Sequence, residues 1–149
     1  QACPGNESLD IFDALSKHNI AQAVEEASES HGVSSDLLLA MVVAESGCDQ
    51  FARSRAGALG LRQIMPKTAR WLGVEQPYSI RENIVAGTKY MSKLLDKYNG
   101  DTRLALAAYN SGPDIVNRYR GVPPFRETKR YISKVLKYRE LFGQITQDA

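Results

Sequence analysis

Long apolar runs, cysteines, histidines and an excess of one charge are what this sequence of 149 residues lacks. No apolar run approaches the roughly 20 residues that a membrane-spanning helix needs. Nothing near the first residue has the basic-then-apolar layout of a signal peptide, so an exported form is expected to have shed its leader. Nineteen basic and 17 acidic side chains leave a formal net charge of +2; neither a nucleic-acid-binding stripe nor an acidic tail stands out, and a weak preference for polyanionic surfaces is the most that charge supports. The two histidines, His18 and His31, form no metal-ligand constellation, and no metal or cofactor is expected. Two cysteines, Cys3 and Cys48, are too few for a disulfide framework and lack zinc-site spacing. In an oxidising compartment they can join, tying the N-terminal segment to the region after Glu45; two unpaired thiols are the alternative. No run of alternating β-branched residues is long enough to build a sheet, and there is no repeat, low-complexity tract or linker.

Helical periodicity is what remains, in a chain 43% hydrophobic and sized for one core. The spacing predicts a mainly α domain. A first helix is expected from Leu9 to about Ser30, with a break near His18 and Asn19. The next opens at Ser34 or Ser35 and stops at Gly47; its nearly all-round apolarity marks a central, buried helix. Shorter helices follow at Pro66 to Leu72, at 81 to 98, at "TRLALAAYN", and from Pro113, before a last amphipathic one, "RETKRYISKVLKYRELF". Residues 1–31 are expected to form an N-terminal helical segment packed on a domain of residues 32–142, with 143–149 as a C-terminal tail.

One oily stretch ends on an acid. In "LLLAMVVAES", helical spacing puts Glu45 on the same face as Leu38, Met41 and Val42. Partial desolvation and the negative end of the helix dipole both disfavour its anion, and a proton kept near neutral pH is what a general acid needs. An acid frayed into water at a helix end is the plain alternative.

The residues that follow weigh against that alternative. Glu45-Ser46 is followed by a serine nine positions on from the acid, Ser54. Then come Gly57-Ala58-x-Gly60-Leu61-x-Gln63-Ile64-Met65-Pro66, Asn83-Ile84-x-x-Gly87-x-x-Tyr90, Ala108-Tyr109-Asn110-x-Gly112-Pro113 and Glu127-Thr128-x-x-Tyr131. Together, from about Gly32 to Tyr138, they resemble the catalytic domain of the family 1 lytic transglycosylases, the soluble-lytic-transglycosylase type. The resemblance implies a lysozyme-like globular α domain whose cleft binds peptidoglycan glycan strands. Such enzymes cut the β-1,4 bond between N-acetylmuramic acid and N-acetylglucosamine without water, leaving a 1,6-anhydro ring, with one glutamate as acid and then base. By motif position that glutamate is Glu45.

The resemblance also implies substrate contacts. Ser54 and Tyr109 would orient the muramic sugar and stabilise charge at its anomeric carbon; Gln63 and Glu127 would bind acetamido or hydroxyl groups; Tyr131 would line the cleft. Each has a plain reading: Ser54 closing a turn, Gln63 solvated, Tyr109 half-buried core, Glu127 capping its helix or pairing with Arg130, Tyr131 sharing a core stripe with Val135 and Tyr138. Trp71 reads as a packing anchor, and Asp49 as a turn residue. The chain departs from the family pattern at Arg62, where methionine is usual, and at Asp49 and Gln50, where Asn-Pro is usual. Arg62 would either meet a stem-peptide or lactyl carboxylate or turn outwards.

The expectation is thus a peptidoglycan lytic transglycosylase outside the cytoplasm, in the periplasm, acting as a monomer. So small an enzyme suits wall opening for an envelope-spanning assembly or local remodelling. The alternatives are a hydrolytic goose-type muramidase and an inactive wall-binding module.

Overall fold

The computed structural model describes residues 19–148 and is mainly α, with seven helices among the described residues. They are α1 (Ile20–His31), α2 (Ser35–Ser46), α3 (Pro66–Trp71), α4 (Ile80–Lys97), α5 (Thr102–Ser111), α6 (Pro113–Tyr119) and α7 (Arg126–Asp148). Helix α1 starts at the expected break, after Asn19 at φ 59°; the part from Leu9 to His18 lies outside the described residues, as does Cys3. The last helix runs on to Asp148, through residues expected as a tail.

Helix α2 is the axis of the fold. Leu37, Leu38, Ala40, Met41, Val42 and Val43 are all buried, so it is enclosed on nearly every side. Its most extensive partner is α7, which brings Ile132, Val135 and Phe142 against it at helical spacing. An ion pair ties the two at one end, Arg139 Nε to Asp36 Oδ1 at 3.4 Å. Half-exposed and solvent-screened, that pair is worth under about 1 kcal/mol. Arg139 also donates to the Ser34 hydroxyl at 3.2 Å, so Ser34, though it occupies the N-cap position, does not cap α2 with its side chain. Helix α1 packs Ile20, Val24 and Ala27 towards α4, which returns Ile84, Met91 and Leu94 to the same core.

Local chemistry sets the remaining ends. Ser79 accepts from the Glu82 amide and Asp101 from the Leu104 amide, each satisfying one orphan donor of a first turn. Pro113 opens α6, where its missing N–H costs nothing. Trp71 corrects the expectation of a packing anchor: it is 65% exposed, edge-on to Tyr90, with Lys93 Nζ 5.7 Å from its ring centre. A helix of six residues, α3, is too short to carry so large a ring inwards, and Ala69 is the residue it buries instead.

Candidate active site

The segment from Gly47 to Met65, between α2 and α3, is irregular but fully wired. Two isolated antiparallel bridges, Arg53 with Leu59 and Leu59 with Ile64, fold it back on itself. The hub is Asn83 on α4, 1% exposed: its Nδ2 donates to the carbonyls of Leu59 and Pro77 at 2.9 and 2.8 Å, and its Oδ1 accepts from the Arg62 amide at 2.7 Å. Every bonding position of that amide but one lone pair is used, which fixes the loop against the helix.

Against this loop, α2, α5 and α7 enclose a pocket of ≈ 540 Å³. Its wall includes Glu45, Ser54, Gln63, Tyr109, Glu127 and Tyr131, so the structure brings together six of the seven expected catalytic and substrate-contact residues. Arg62 is the exception. Neither in the pocket nor in solvent, it is 0% exposed, and its Nε lies 3.2 Å from Glu45 Oε2. The reason is room: α4 presents Gly87 where any side chain would collide with Arg62. Arg62 therefore cannot meet a substrate carboxylate.

Glu45 keeps 5% of its side-chain exposure. Burial pushes its carboxyl up from the ordinary 4.5 to about 8, against the Arg62 charge and hydrogen bond, which pull it down. It therefore holds a proton at neutral pH, as the apolar face of α2 predicts. The Tyr131 hydroxyl is near enough to lower that value slightly, yet no group meets it in hydrogen-bonding geometry. Burial, and then the Glu45 charge, hold its phenol well above the ordinary range.

The other expected contacts divide between structure and site. Tyr109 lines the pocket with its hydroxyl proton already spent on the Arg62 carbonyl at 2.8 Å. Ser54 closes a turn, its Oγ accepting from the Ala58 amide at 2.9 Å, and keeps its own proton to donate. Gln63 has φ 50° and ties its Nε2 to the carbonyls of Ala52 and Gly60 at 3.1 and 2.8 Å, leaving Oε1 to accept. Glu127 pairs with no cation among the described residues. Asp49 is the expected turn residue, Oδ1 accepting from the Phe51 amide at 2.9 Å, and does not line the pocket.

Sequence reasoning gave no pocket role to Asn110, Arg130 or Lys134, which complete the wall on α5 and α7. Asn110 was within reach, since it sits in the Ala-Tyr-Asn motif; its Oδ1 accepts from buried Thr128 at 2.8 Å and joins the two helices. The two cations carry no local sequence signal. Among the described residues no group of His, Cys, Asp and Glu could hold a metal.

Comparisons with known proteins show the family. The profile of the family described as "Transglycosylase SLT domain" matches residues 22–132. Membrane-bound lytic murein transglycosylase F of Desulfosudis oleivorans is 32% identical over 136 residues, covering 83% of this chain and 30% of the relative. A transglycosylase of Enterobacteria phage PRD1 is 35% identical over 123 residues, 82% of this chain and 44% of the relative. An inactive glutamate-to-glutamine mutant of the lytic transglycosylase Slt from Pseudomonas aeruginosa superposes with a TM-score of 0.76 at 30% identity, covering 85% of this chain and 24% of that one. The chain thus spans less than half the length of each of these relatives.

Proposed function

Given that this chain belongs to the transglycosylase SLT domain family and has its lysozyme-like fold, we propose that it is a peptidoglycan lytic transglycosylase with Glu45 as acid and base. One observation carries the reading: a nearly buried glutamate, whose carboxyl burial pushes up, lies in the wall of a pocket beside the Tyr131 hydroxyl, which no group meets in hydrogen-bonding geometry. Unsatisfied buried donors are rare and costly, and a sugar oxygen would complete this one.

In the reaction, Glu45 gives its proton to the glycosidic oxygen as the bond from the muramic anomeric carbon breaks. The resulting carboxylate then takes the proton of the muramic O6 hydroxyl, whose oxygen attacks the anomeric carbon. That closes the 1,6-anhydro ring and restores the acid without consuming water. The Tyr131 and Ser54 hydroxyls, and the Gln63 carbonyl, all from residues lining the pocket, would orient the sugar.

Glu127 favours a second reading. Most glycoside hydrolases use two carboxylates, and Glu127 is a second acid in the same pocket. A goose-type muramidase would use it to activate water. Mass spectrometry of digested peptidoglycan separates the two: anhydro ends support the transglycosylase, whereas reducing ends one water heavier support the muramidase. Binding to insoluble peptidoglycan with no soluble product would identify an inactive module.

The carboxylate-binding role expected of Arg62 passes to Arg130 and Lys134. Arg126, Lys129 and Arg130 sit in the first turns of α7, where the helix dipole disfavours cations. Neither these three nor Lys134 forms an ion pair among the described residues. Arg130 also links the acid's pocket to a depression lined by Pro124, Arg126, Lys129 and Ser133. That flank suits the carboxylates of stem peptides. Changing Arg130 and Lys134 together to alanine is expected to raise KM on peptide-bearing strands roughly tenfold, the worth of about one charge-assisted contact. The effect on peptide-free strands should be smaller; equal effects would remove the assignment.

This reading puts the protein in the periplasm, as a monomer that opens the wall for an envelope-spanning assembly or remodels it locally. In that compartment Cys48, which is buried, is proposed to pair with Cys3. Denatured, non-reduced protein should then show no reactive thiol, and two reactive thiols would reject the bond.

A further inference from the structure

Resting on that reading of Glu45, we infer that Arg62 is a positioning residue for the acid. Its Nε–H holds one carboxyl oxygen so that the other presents the proton, and its charge steadies the anion that remains after transfer.

The geometry is built around this guanidinium. Nε donates to Glu45 Oε2, Nη1 to Thr88 Oγ1 at 3.4 Å, and Nη2 to the Gly87 carbonyl at 3.4 Å and Met41 Sδ at 3.3 Å. The Tyr109 ring covers it, 5.3 Å from the guanidinium carbon. A Cβ on Gly87 would lie 2.8 Å from Arg62 Cβ and Cγ, so α4 leaves a slot for this side chain. The main chain of Arg62 is clamped from both sides, its amide by Asn83 and its carbonyl by Tyr109. A side chain this constrained presents Nε in one place.

The energetics separate this from a structural ion pair. Burying a guanidinium costs several kcal/mol unless an anion compensates it, and a stabilising pair keeps both members ionised. Glu45 is the acid that Arg62 touches, yet it holds its proton at neutral pH. Burial raises the Glu45 carboxyl against the pull of Arg62, so the Arg62 charge is matched most fully when Glu45 has given up its proton. The hydrogen bond survives both states, because Nε–H can donate to the unprotonated oxygen of a neutral carboxyl. The other groups facing Glu45 are Tyr109 from α5 and Tyr131 from α7, with Glu127, Arg130 and Lys134 further along the same wall; its own helix offers Met41. None of the other cations is in contact with the carboxyl.

The test is a carbon-13 titration of the Glu45 carboxyl in the whole chain, alongside pH–rate profiles, for the parent, Arg62→Met and Arg62→Lys. Arg62→Met is expected to move the midpoint up by about one pH unit or more. The alkaline limb of kcat/KM should follow it, with kcat lowered about tenfold and KM nearly unchanged. Arg62→Lys restores the charge and should return the limb towards its parental position, with kcat still reduced. Should Arg62→Met not fold, Gly87→Ala, which crowds the guanidinium without removing it, should move the midpoint in the same direction by less. An unmoved midpoint in Arg62→Met, or in Gly87→Ala where that serves as the test, overturns the proposal, as does a lysine variant that behaves like the methionine one. The titration judges Arg62 whatever the reaction products, while absence of anhydro ends would count against the transglycosylase reading alone.

Discussion

Glu45→Gln is expected to lower release of muropeptides by about a thousandfold or more while leaving retention on peptidoglycan largely intact. The glutamine keeps the shape of the protonated acid, and its carbonyl can still accept from Arg62, but it has no proton to give. A second signature separates lost chemistry from damaged structure. The folded carboxyl titrates near 8 and the unfolded one near 4.5. Between those values the folded chain holds a proton that the unfolded chain has released. The parent therefore keeps this contribution in full below the lower value and loses about 1.4 kcal/mol per pH unit as pH rises through the window. Above the upper value the loss levels off. Glutamine has no such slope, so the variant's advantage in thermal stability should grow from pH 5 to pH 8, reaching roughly 10 °C. Parallel melting curves, or undiminished turnover, would remove Glu45 from the centre of the mechanism.

The second large effect is structural. Gly60→Ala is expected to destabilise the protein by about 3–5 kcal/mol, a large part of the 5–15 kcal/mol typical of a domain. Gly60 has φ 78°, where an L side chain is strained, and its added methyl would collide with Asn83 Nδ2 and lie 2.7 Å from the Pro77 carbonyl. Displacing Asn83 frees the Pro77 carbonyl and the Arg62 amide together, and takes from the Leu59 carbonyl one of its two donors, the other being the Ile64 amide. Gly57→Ala is the control. Gly57 has φ 95° with nothing near its would-be methyl, so only the backbone penalty of about 1–2 kcal/mol applies. Urea midpoints of the two variants should differ clearly; equal midpoints would mean that Asn83 is not the hub described.

What could be read in advance followed the range of the forces. Helix α2, the Asp101 cap and the Pro113 start depend on residues within a turn of one another, and they lie where spacing puts them. Glu45 was legible twice, from the apolar face it shares and from motif position. The inward course of Arg62 was not. It depends on a missing Cβ at Gly87, 25 residues away, and on the contact with Glu45, 17 residues back, neither of which local pattern encodes. For the same reason the family motif marked Asn83 without giving it a role, although its three bonds reach 6, 21 and 24 residues back. Motifs placed Tyr109 and Gln63 at the pocket. They did not reveal that the Tyr109 hydroxyl and the Gln63 amide nitrogen are already engaged by backbone.

The seam between α2 and α7 also governs how a glycan can arrive. The proton donor rides on one of these helices and the unpartnered phenol on the other. Parting them would expose Leu38, Ile132 and Val135 to water, at roughly 1.5–3 kcal/mol for each side chain. Jaw-like opening at the reacting bond is accordingly too expensive to accompany each turnover. On the proposed reading, a glycan would meet a groove whose width the closed seam has already set.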